Sequence, residues 1–156
     1  MLRNLKRLFK SKEAYVSVYK RDNGYILHAN KLSTDGVWIS TEPCVKLDLE
    51  TGKEEIGRKV IDLLKESEGR IEHPTEFKGL FNFVLKVAQV RSYKKFMEHC
   101  IHCGVFLKGK VITFMPYKND NRKGFEQITE ESESIKFNSQ SDEYGKTLFN
   151  CLRKCK

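Results

Sequence analysis

Residues near the start of the chain alternate between apolar and polar, which is the period of a β-strand with one buried face. Asp22-Asn23-Gly24 separates the first two alternating stretches and is a strong hairpin-turn signal. Pro43 separates the next two stretches, so we expect two distinct strands there. The four predicted strands span residues 14–20, 25–30, 37–40 and 44–49. Together they predict an antiparallel meander.

Further along the chain the apolar spacing changes to three and four residues, which predicts amphipathic helices. Four helices are expected, near residues 53–66, 76–88, 92–99 and 141–154. Thr51-Gly52-Lys53-Glu54 matches a capping box, in which hydroxyl and carboxylate satisfy each other's backbone amides. Thr75, Ser92 and Ser141 are placed to cap the other three helices. The helix near 76–88 has the most regular apolar face and is expected to contribute most to the core.

The strand period returns after the third predicted helix. Residues 105–107 and 111–115 are predicted as a hairpin around the turn Lys108-Gly109-Lys110, and Pro116 is expected to end its second strand. The composition then predicts a loop at 118–124, an extended segment at 125–128 and a solvated acidic loop at 130–134. The whole pattern predicts one α+β domain over residues 1–156, with an antiparallel sheet packed against about four helices.

Residues 1–12 form a basic amphipathic segment. Leucines at positions 2, 5 and 8 fall on one face of a short helix, with lysines and arginines around them. One hypothesis is that this segment attaches to an anionic membrane surface. The other is that it forms a helix that packs on the domain, or a frayed end. We favour the second reading, because ten residues form a marginal anchor without a second signal.

Composition indicates a soluble globular protein, with 39% hydrophobic and 32% charged residues. No apolar run approaches the roughly 20 residues that span a bilayer. The five cysteines are odd in number and unevenly placed, whereas a small secreted scaffold usually has an even, denser set. We therefore expect reduced thiols, a cytoplasmic location and no membrane partner.

Charge is unevenly distributed along the chain, although the net charge is +8. Residues 91–123 carry eight Lys and Arg against two acids, whereas residues 124–143 carry one lysine against six acids. Such blocks predict a polarised surface that suits a charged macromolecular partner.

The run His99-Cys100-Ile101-His102-Cys103 is a candidate metal site. Completed by Cys151 and Cys155, it would offer zinc a tetrahedral set of ligands. A single Cys-x-x-Cys without a second pair is a weak signal, however. The run also lies where a helix gives way to a strand, so its side chains are expected to point in different directions. We predict no metal and no other cofactor.

The helices predicted near 76–88 and 92–99 resemble a helix-turn-helix. A DNA reader would place Tyr93, Lys94 and Lys95 in the major groove. The alternative is a plain helical hairpin whose second helix packs on the sheet, which the apolar residues Phe96 and Met97 favour. Nucleic acid is therefore not the expected partner, although DNA binding remains the second hypothesis.

The sequence contains no recognisable set of nucleophile, base and orienting residue. Its four histidines lie in unrelated contexts, and no glycine-rich phosphate loop is present. We predict that the protein is not an enzyme.

A family resemblance is carried by helix-cap, core and turn residues spread over about residues 50–128. The motifs are Val90-Arg91-Ser92-Tyr93-Lys94-Lys95-Phe96, Gly104-Val105, Ile112-Thr113, Pro116, Lys123-Gly124-Phe125 and the helical segment 55–60. In these positions the chain resembles the immunity proteins of bacterial contact-dependent growth inhibition (CDI) systems. The length of the chain is also similar to theirs.

The resemblance implies a non-enzymatic cytosolic antidote that binds the C-terminal domain of a cognate toxin, commonly a nuclease. A nuclease holds an anionic backbone in a basic cleft, and carboxylates would occupy such a cleft well. We therefore predict that the partner-binding residues are the acids Glu126, Glu130, Glu131, Glu133, Asp142 and Glu143. The alternative is that Lys118, Arg122 and Lys123 bind an acidic toxin surface.

Overall fold

The computed structural model describes residues 12–137 and 141–156. In this part of the chain it has eight strands, four α-helices and one 3-10 helix. The strands are β1 (Glu13–Arg21), β2 (Gly24–Ser33), β3 (Trp38–Leu47), β4 (Arg70–Ile71), β5 (Ile101–Lys108), β6 (Val111–Asp120), β7 (Gly124–Gln127) and β8 (Glu133–Lys136). The helices are α1 (Lys53–Ser67), α2 (Asn82–Ala88), α3 (Tyr93–Met97), α4 (Ser141–Lys154) and the 3-10 helix Thr129–Glu131.

The strands form one sheet in the order β3-β2-β1-β5-β6-β7. Neighbouring strands in this order are antiparallel, and the short β4 adds a parallel pair to β2. β8 pairs with the first part of β6, and β7 pairs with its last part. The predicted α+β fold, a single domain with an antiparallel sheet and about four helices, is confirmed.

The main core lies between one face of the sheet and the helices α1 and α4. Strand alternation directs Val16 and Val18 of β1 to this face, where they meet Ile56 of α1 and Leu148 of α4. All four side chains are almost fully buried. The two long helices therefore supply most of the apolar surface that holds the sheet.

A smaller core lies on the other face, under α2 and α3. It contains Tyr19 of β1, Ile26 of β2, Val84 and Ala88 of α2, and Phe96 of α3. The predicted role of the 76–88 helix as the main core element is therefore wrong, because α1 and α4 cover the larger cluster.

Two strands continue through a proline at which the sequence predicted a break. β3 runs through Pro43 because a register shift against β2 leaves Glu42 and Pro43 without cross-strand partners there. β6 runs through Pro116, whose carbonyl accepts from Ile128 N at 2.9 Å on the edge shared by β7 and β8. Pro116 falls in the gap between those two strands, so its missing N–H costs no ladder hydrogen bond.

Helix starts differ from the sequence prediction in two places. Gly52, not Thr51, is the N-cap residue of α1, and no side chain caps this helix. The helix expected from residue 76 begins only at Asn82, because Gly79 has a φ of +82° that a right-handed helix cannot contain. Ser92 caps α3 as predicted, accepting from Lys95 N at 3.2 Å.

The acidic stretch 130–134 is more ordered than the solvated loop expected from composition. It contains the end of the 3-10 helix and the start of β8. The predicted basic segment 1–12 lies outside the described residues except for Lys12, as does the side chain of Ser141, the expected cap of α4. In residues 12–137 and 141–156, no helix is both long and apolar enough to cross a bilayer.

Candidate functional site

Four of the six predicted partner-binding acids lie along one edge of the sheet. Glu126 is on β7, Glu130 and Glu131 are on the 3-10 helix, and Glu133 begins β8. All of them border β6, because β7 and β8 pair with the same edge of that strand. We call these four residues the acidic edge.

Part of the acidic edge is already neutralised within the molecule. Lys154, at the end of α4, places its Nζ 4.0 Å from Glu133 Oε2 and donates to the Glu131 carbonyl at 3.3 Å. Glu126 lies directly opposite Lys118 of β6. Glu130 and Glu131 are exposed, and their carboxylates make no ion pair among the described residues. These two side chains are therefore the most available to a partner.

The other two predicted acids are elsewhere. Asp142 and Glu143 are in the first turn of α4, where negative charge stabilises the helix dipole. Lys154 marks the opposite end of the same helix, about 18 Å away at 1.5 Å rise per residue. The six acids therefore do not form one patch, although they are close together in sequence.

The alternative basic residues form the tip of the hairpin between β6 and β7. Asp120 Oδ1 accepts from the backbone N–H groups of Arg122 at 3.0 Å and Lys123 at 3.4 Å, which shapes the turn. The hydrogen bond from Arg122 lowers the pKa of the Asp120 carboxyl below its ordinary value. Arg122, Lys123 and Lys118 are all exposed. This basic tip adjoins the acidic edge through β7.

The run from His99 to Cys103 does not converge on one point. Cys100 packs in the smaller core, Cys103 packs in the main core on the other face, and His99 is exposed. Burial raises the pKa of Cys100 to about 12, and a hydrogen bond with Cys103 raises the pKa of Cys151. In the described part of the chain, no three His, Cys, Asp or Glu side chains are grouped as metal ligands.

The predicted helix-turn-helix is small and its second helix packs on the sheet. α3 has five residues, of which Phe96 and Met97 are buried. The Tyr93 ring lies edge-on to the Phe81 ring, with 5.4 Å between the ring centroids. Lys94 and Lys95 are exposed. One turn anchored through its apolar side is poorly suited to enter a major groove.

Sequence reasoning missed a row of stacked rings across four neighbouring strands. His28 of β2, Tyr19 of β1, His102 of β5 and Tyr117 of β6 have successive centroid distances of 5.8, 4.3 and 4.2 Å. Cross-strand pairing places Tyr19 opposite His102, and residue alternation directs these rings to the face under α2 and α3. The four residues are the ring stack. In the sequence, the ring stack corresponds to one Tyr or His residue in each of four strands. This pattern does not predict a stack unless the pairing register of the strands is known.

Burial controls the ionisation of the two stacked histidines. It lowers the pKa of His28 to about 4 and that of His102 to about 3. Burial also raises the pKa of Tyr19. All three rings are therefore neutral at pH 7, which suits a buried aromatic stack.

The chain is similar to known proteins over almost its whole length. The model of the family CdiI, described as CDI immunity protein, matches residues 6–155. A chain in the structure of a CdiA-CT/CdiI toxin and immunity complex from Yersinia pseudotuberculosis has a TM-score of 0.76 and 12% identity, covering 93% of this chain and 98% of that one.

A second solved structure, a protein of unknown function from Neisseria meningitidis, has a TM-score of 0.77 and 12% identity. The alignment covers 94% of this chain and 98% of that one. At such identities the two structures show a shared fold. No curated protein matches the sequence.

Proposed function

Because the chain belongs to the CdiI family of CDI immunity proteins, we propose that it binds and neutralises the C-terminal domain of a cognate toxin. The observation that carries this proposal is the family match over residues 6–155. The fold shared with a chain of the Yersinia toxin and immunity complex supports it. Neutralisation acts by occupation of the toxin rather than by catalysis.

The proposed toxin is a nuclease, and the proposed contact is the acidic edge. A nuclease cleft is basic because it holds phosphates, so carboxylates complement it and accelerate encounter. Glu130 and Glu131 support this assignment, since both are exposed and free of ion pairs among the described residues. Action in the cytoplasm follows, because a nuclease toxin has its substrate there.

The function is tested by growth rescue. The cognate toxin domain is expressed from an inducible promoter in cells that carry or lack the protein. We expect growth only with the protein, and no rescue from an unrelated CDI toxin. Growth arrest that the protein does not relieve, at equal toxin levels, would refute the proposal.

The acidic edge is tested by charge reversal with a matched control. Glu130→Lys/Glu131→Lys changes two exposed charges, whereas Glu126 and Glu133 are left intact because they face Lys118 and contact Lys154. We expect toxin affinity to fall by about 30-fold or more. The control, Arg122→Glu/Lys123→Glu, changes the same number of charges on the adjoining basic tip. Loss of binding in the control alone would assign the contact to the basic tip.

A further inference from the structure

Two imidazoles are buried in the ring stack without the hydrogen bonds that imidazoles normally make. His28 is 0% exposed and His102 is 5% exposed. His28 Nδ1 lies 2.8 Å from the Ala29 carbonyl and donates to it, whereas its Nε2 has no partner. Neither ring nitrogen of His102 has a partner. Three unsatisfied ring nitrogens in one small core are unusual and need a physical account.

The groups that face these imidazoles offer no charge to stabilise a proton. β1 presents Tyr19, β3 presents Cys44 opposite His28, and β6 presents Tyr117. Three further rings contact the imidazoles: Phe81 and Phe83 lie edge-on to His28, and Phe125 of β7 lies edge-on to His102.

Charged and titratable groups nearby are engaged elsewhere. Cys155 donates its thiol to the His102 carbonyl at 3.1 Å, not to the ring. Arg21 is held over the Phe96 ring and donates to the Phe96 carbonyl. Glu42 lies beside the Cys44 thiol and is exposed, and Cys100 is a neutral thiol. Among the described residues, neither buried imidazole makes an ion pair.

We propose that protonation of His28 and His102 lifts a cover from the sheet, while α1 and α4 stay packed on the opposite face. The cover is residues 81–97 over His28 together with the Phe125 side chain of β7 over His102. A protonated imidazole in this stack would be buried away from water and would face no anion. Its positive charge therefore destabilises the closed form. Lifting the cover gives both rings water without disturbing the larger core. The ring stack is thus an acid-sensitive latch, and this inference does not depend on the proposed toxin.

The opening is local because the two cores differ in size. The cluster under the cover has six buried apolar residues among those described, whereas the cluster under α1 and α4 has eighteen. The cover consists of helices of seven and five residues, each with two buried residues, and of the partly buried Phe125 side chain. Segments with few buried apolar contacts open first.

The pH range of the opening follows from the direction of the pKa shifts. In the open form each imidazole regains an ordinary pKa near 6.5, whereas burial holds it at about 4 for His28 and about 3 for His102. The open form therefore binds more protons, and closure is lost as pH falls below about 6.5. Between pH 7 and pH 5 each histidine raises the ratio of open to closed about 20-fold, and both raise it about 500-fold.

Amide hydrogen exchange of the whole protein, corrected for the intrinsic rate at each pH, tests the latch. Between pH 7 and pH 5 we expect protection in residues 82–97 to fall several hundredfold, with protection in residues 53–67 nearly unchanged. Equal losses in both segments would mean global unfolding and would overturn the proposal. Unchanged protection in residues 82–97 would overturn it as well.

Single variants separate the latch from general acid effects. His102→Phe and His28→Phe keep a ring in the stack, and each is expected to reduce the pH effect to about 20-fold. His99→Asn is the control, because His99 is exposed and its φ of 54° suits asparagine. His99→Asn should keep the full loss of protection between pH 7 and pH 5. In wild-type protein, nuclear magnetic resonance should find His28 and His102 neutral at pH 5.5, and protonation of either in the closed form would contradict the latch.

Discussion

Ser67 joins a helix to two strands through one buried hydroxyl. Its Oγ accepts from Tyr15 N at 2.8 Å and donates to the Asn30 carbonyl. This contact fixes the end of α1 against the cross-strand pair Tyr15 and Asn30 of β1 and β2. A serine in the last turn of an amphipathic helix gives no sequence signal for such a role.

We expect Ser67→Ala to lower the free energy of unfolding by about 1–3 kcal/mol, because it removes both hydrogen bonds of a buried hydroxyl. Urea unfolding followed by circular dichroism measures this change. Ser132→Ala is the matched control, since Ser132 is exposed, and it should change stability by less than about 0.5 kcal/mol. Equal values for the two variants would show that the Ser67 contacts contribute nothing to stability.

Single residues also account for the ends of elements that sequence periodicity misplaced. Phe77 and Leu80 fit the helical spacing, yet Phe77 is 55% exposed and packs edge-on against His73 at 5.4 Å. The left-handed backbone at Gly79 separates Phe77 from α2, and Leu80 lies in the turn just before the helix. Periodicity records which residues are apolar, but one φ angle decides whether the backbone between them is helical.

At the scale of elements, α1 and α4 pack closely because Gly145 has no side chain. A Cβ at this position would collide with the Lys53 carbonyl oxygen, which is backbone and cannot turn away. The bounds of both helices were predicted within about one residue, because each has a long apolar face. Their close approach was not predictable, since it depends on how they cross.

Gly145→Ala is expected to destabilise the protein by about 1–3 kcal/mol, because overpacking outweighs the helix propensity gained with alanine. Thermal or urea unfolding measures the difference. Gly52→Ala is the control, because a Cβ there meets nothing within 4 Å and φ is −70°. It should cost less than about 1 kcal/mol. A neutral or stabilising Gly145→Ala would mean that the two helices separate without cost.

The N-cap of α3 decides whether this single turn holds Phe96 in the smaller core. Ser92→Ala removes the hydrogen bond that Lys95 N donates, and we expect a loss of about 1 kcal/mol. Ser92→Asp restores an acceptor and should recover most of that loss. Urea unfolding of the three proteins tests this, and identical midpoints for serine and alanine would exclude a capping contribution.

At the scale of the molecule, the sequence order of the acids gave a misleading picture of the surface. Glu126 to Glu143 looks like one acidic block, but α4 places Asp142 and Glu143 about a helix length from Lys154, which contacts Glu133. The basic residues Arg122 and Lys123 do lie together at the tip of the hairpin of β6 and β7. Strand register and helix direction determine where the other charged residues lie on the surface, and neither can be obtained from composition.

The separation of the acids makes a prediction about specificity. Asp142→Lys/Glu143→Lys changes as much charge as Glu130→Lys/Glu131→Lys, yet it lies outside the acidic edge. We expect this variant to change the affinity for the toxin less than about threefold, because its charges act on the toxin only over a long distance. This small change in affinity should disappear at high salt, which screens such interactions. Calorimetry at low and high ionic strength measures both variants. A larger effect from the Asp142 and Glu143 pair would place the contact on the first turn of α4.

The central claim is that the protein neutralises a toxin by occupying it. The most direct measurement adds increasing amounts of purified protein to a fixed amount of the purified toxin domain and follows the toxin's activity on its substrate. We predict that activity falls linearly and ends at one equivalent, with both proteins recovered intact as a complex. Full toxin activity in excess protein would contradict the account, as would inhibition far below one equivalent, which only catalytic inactivation explains.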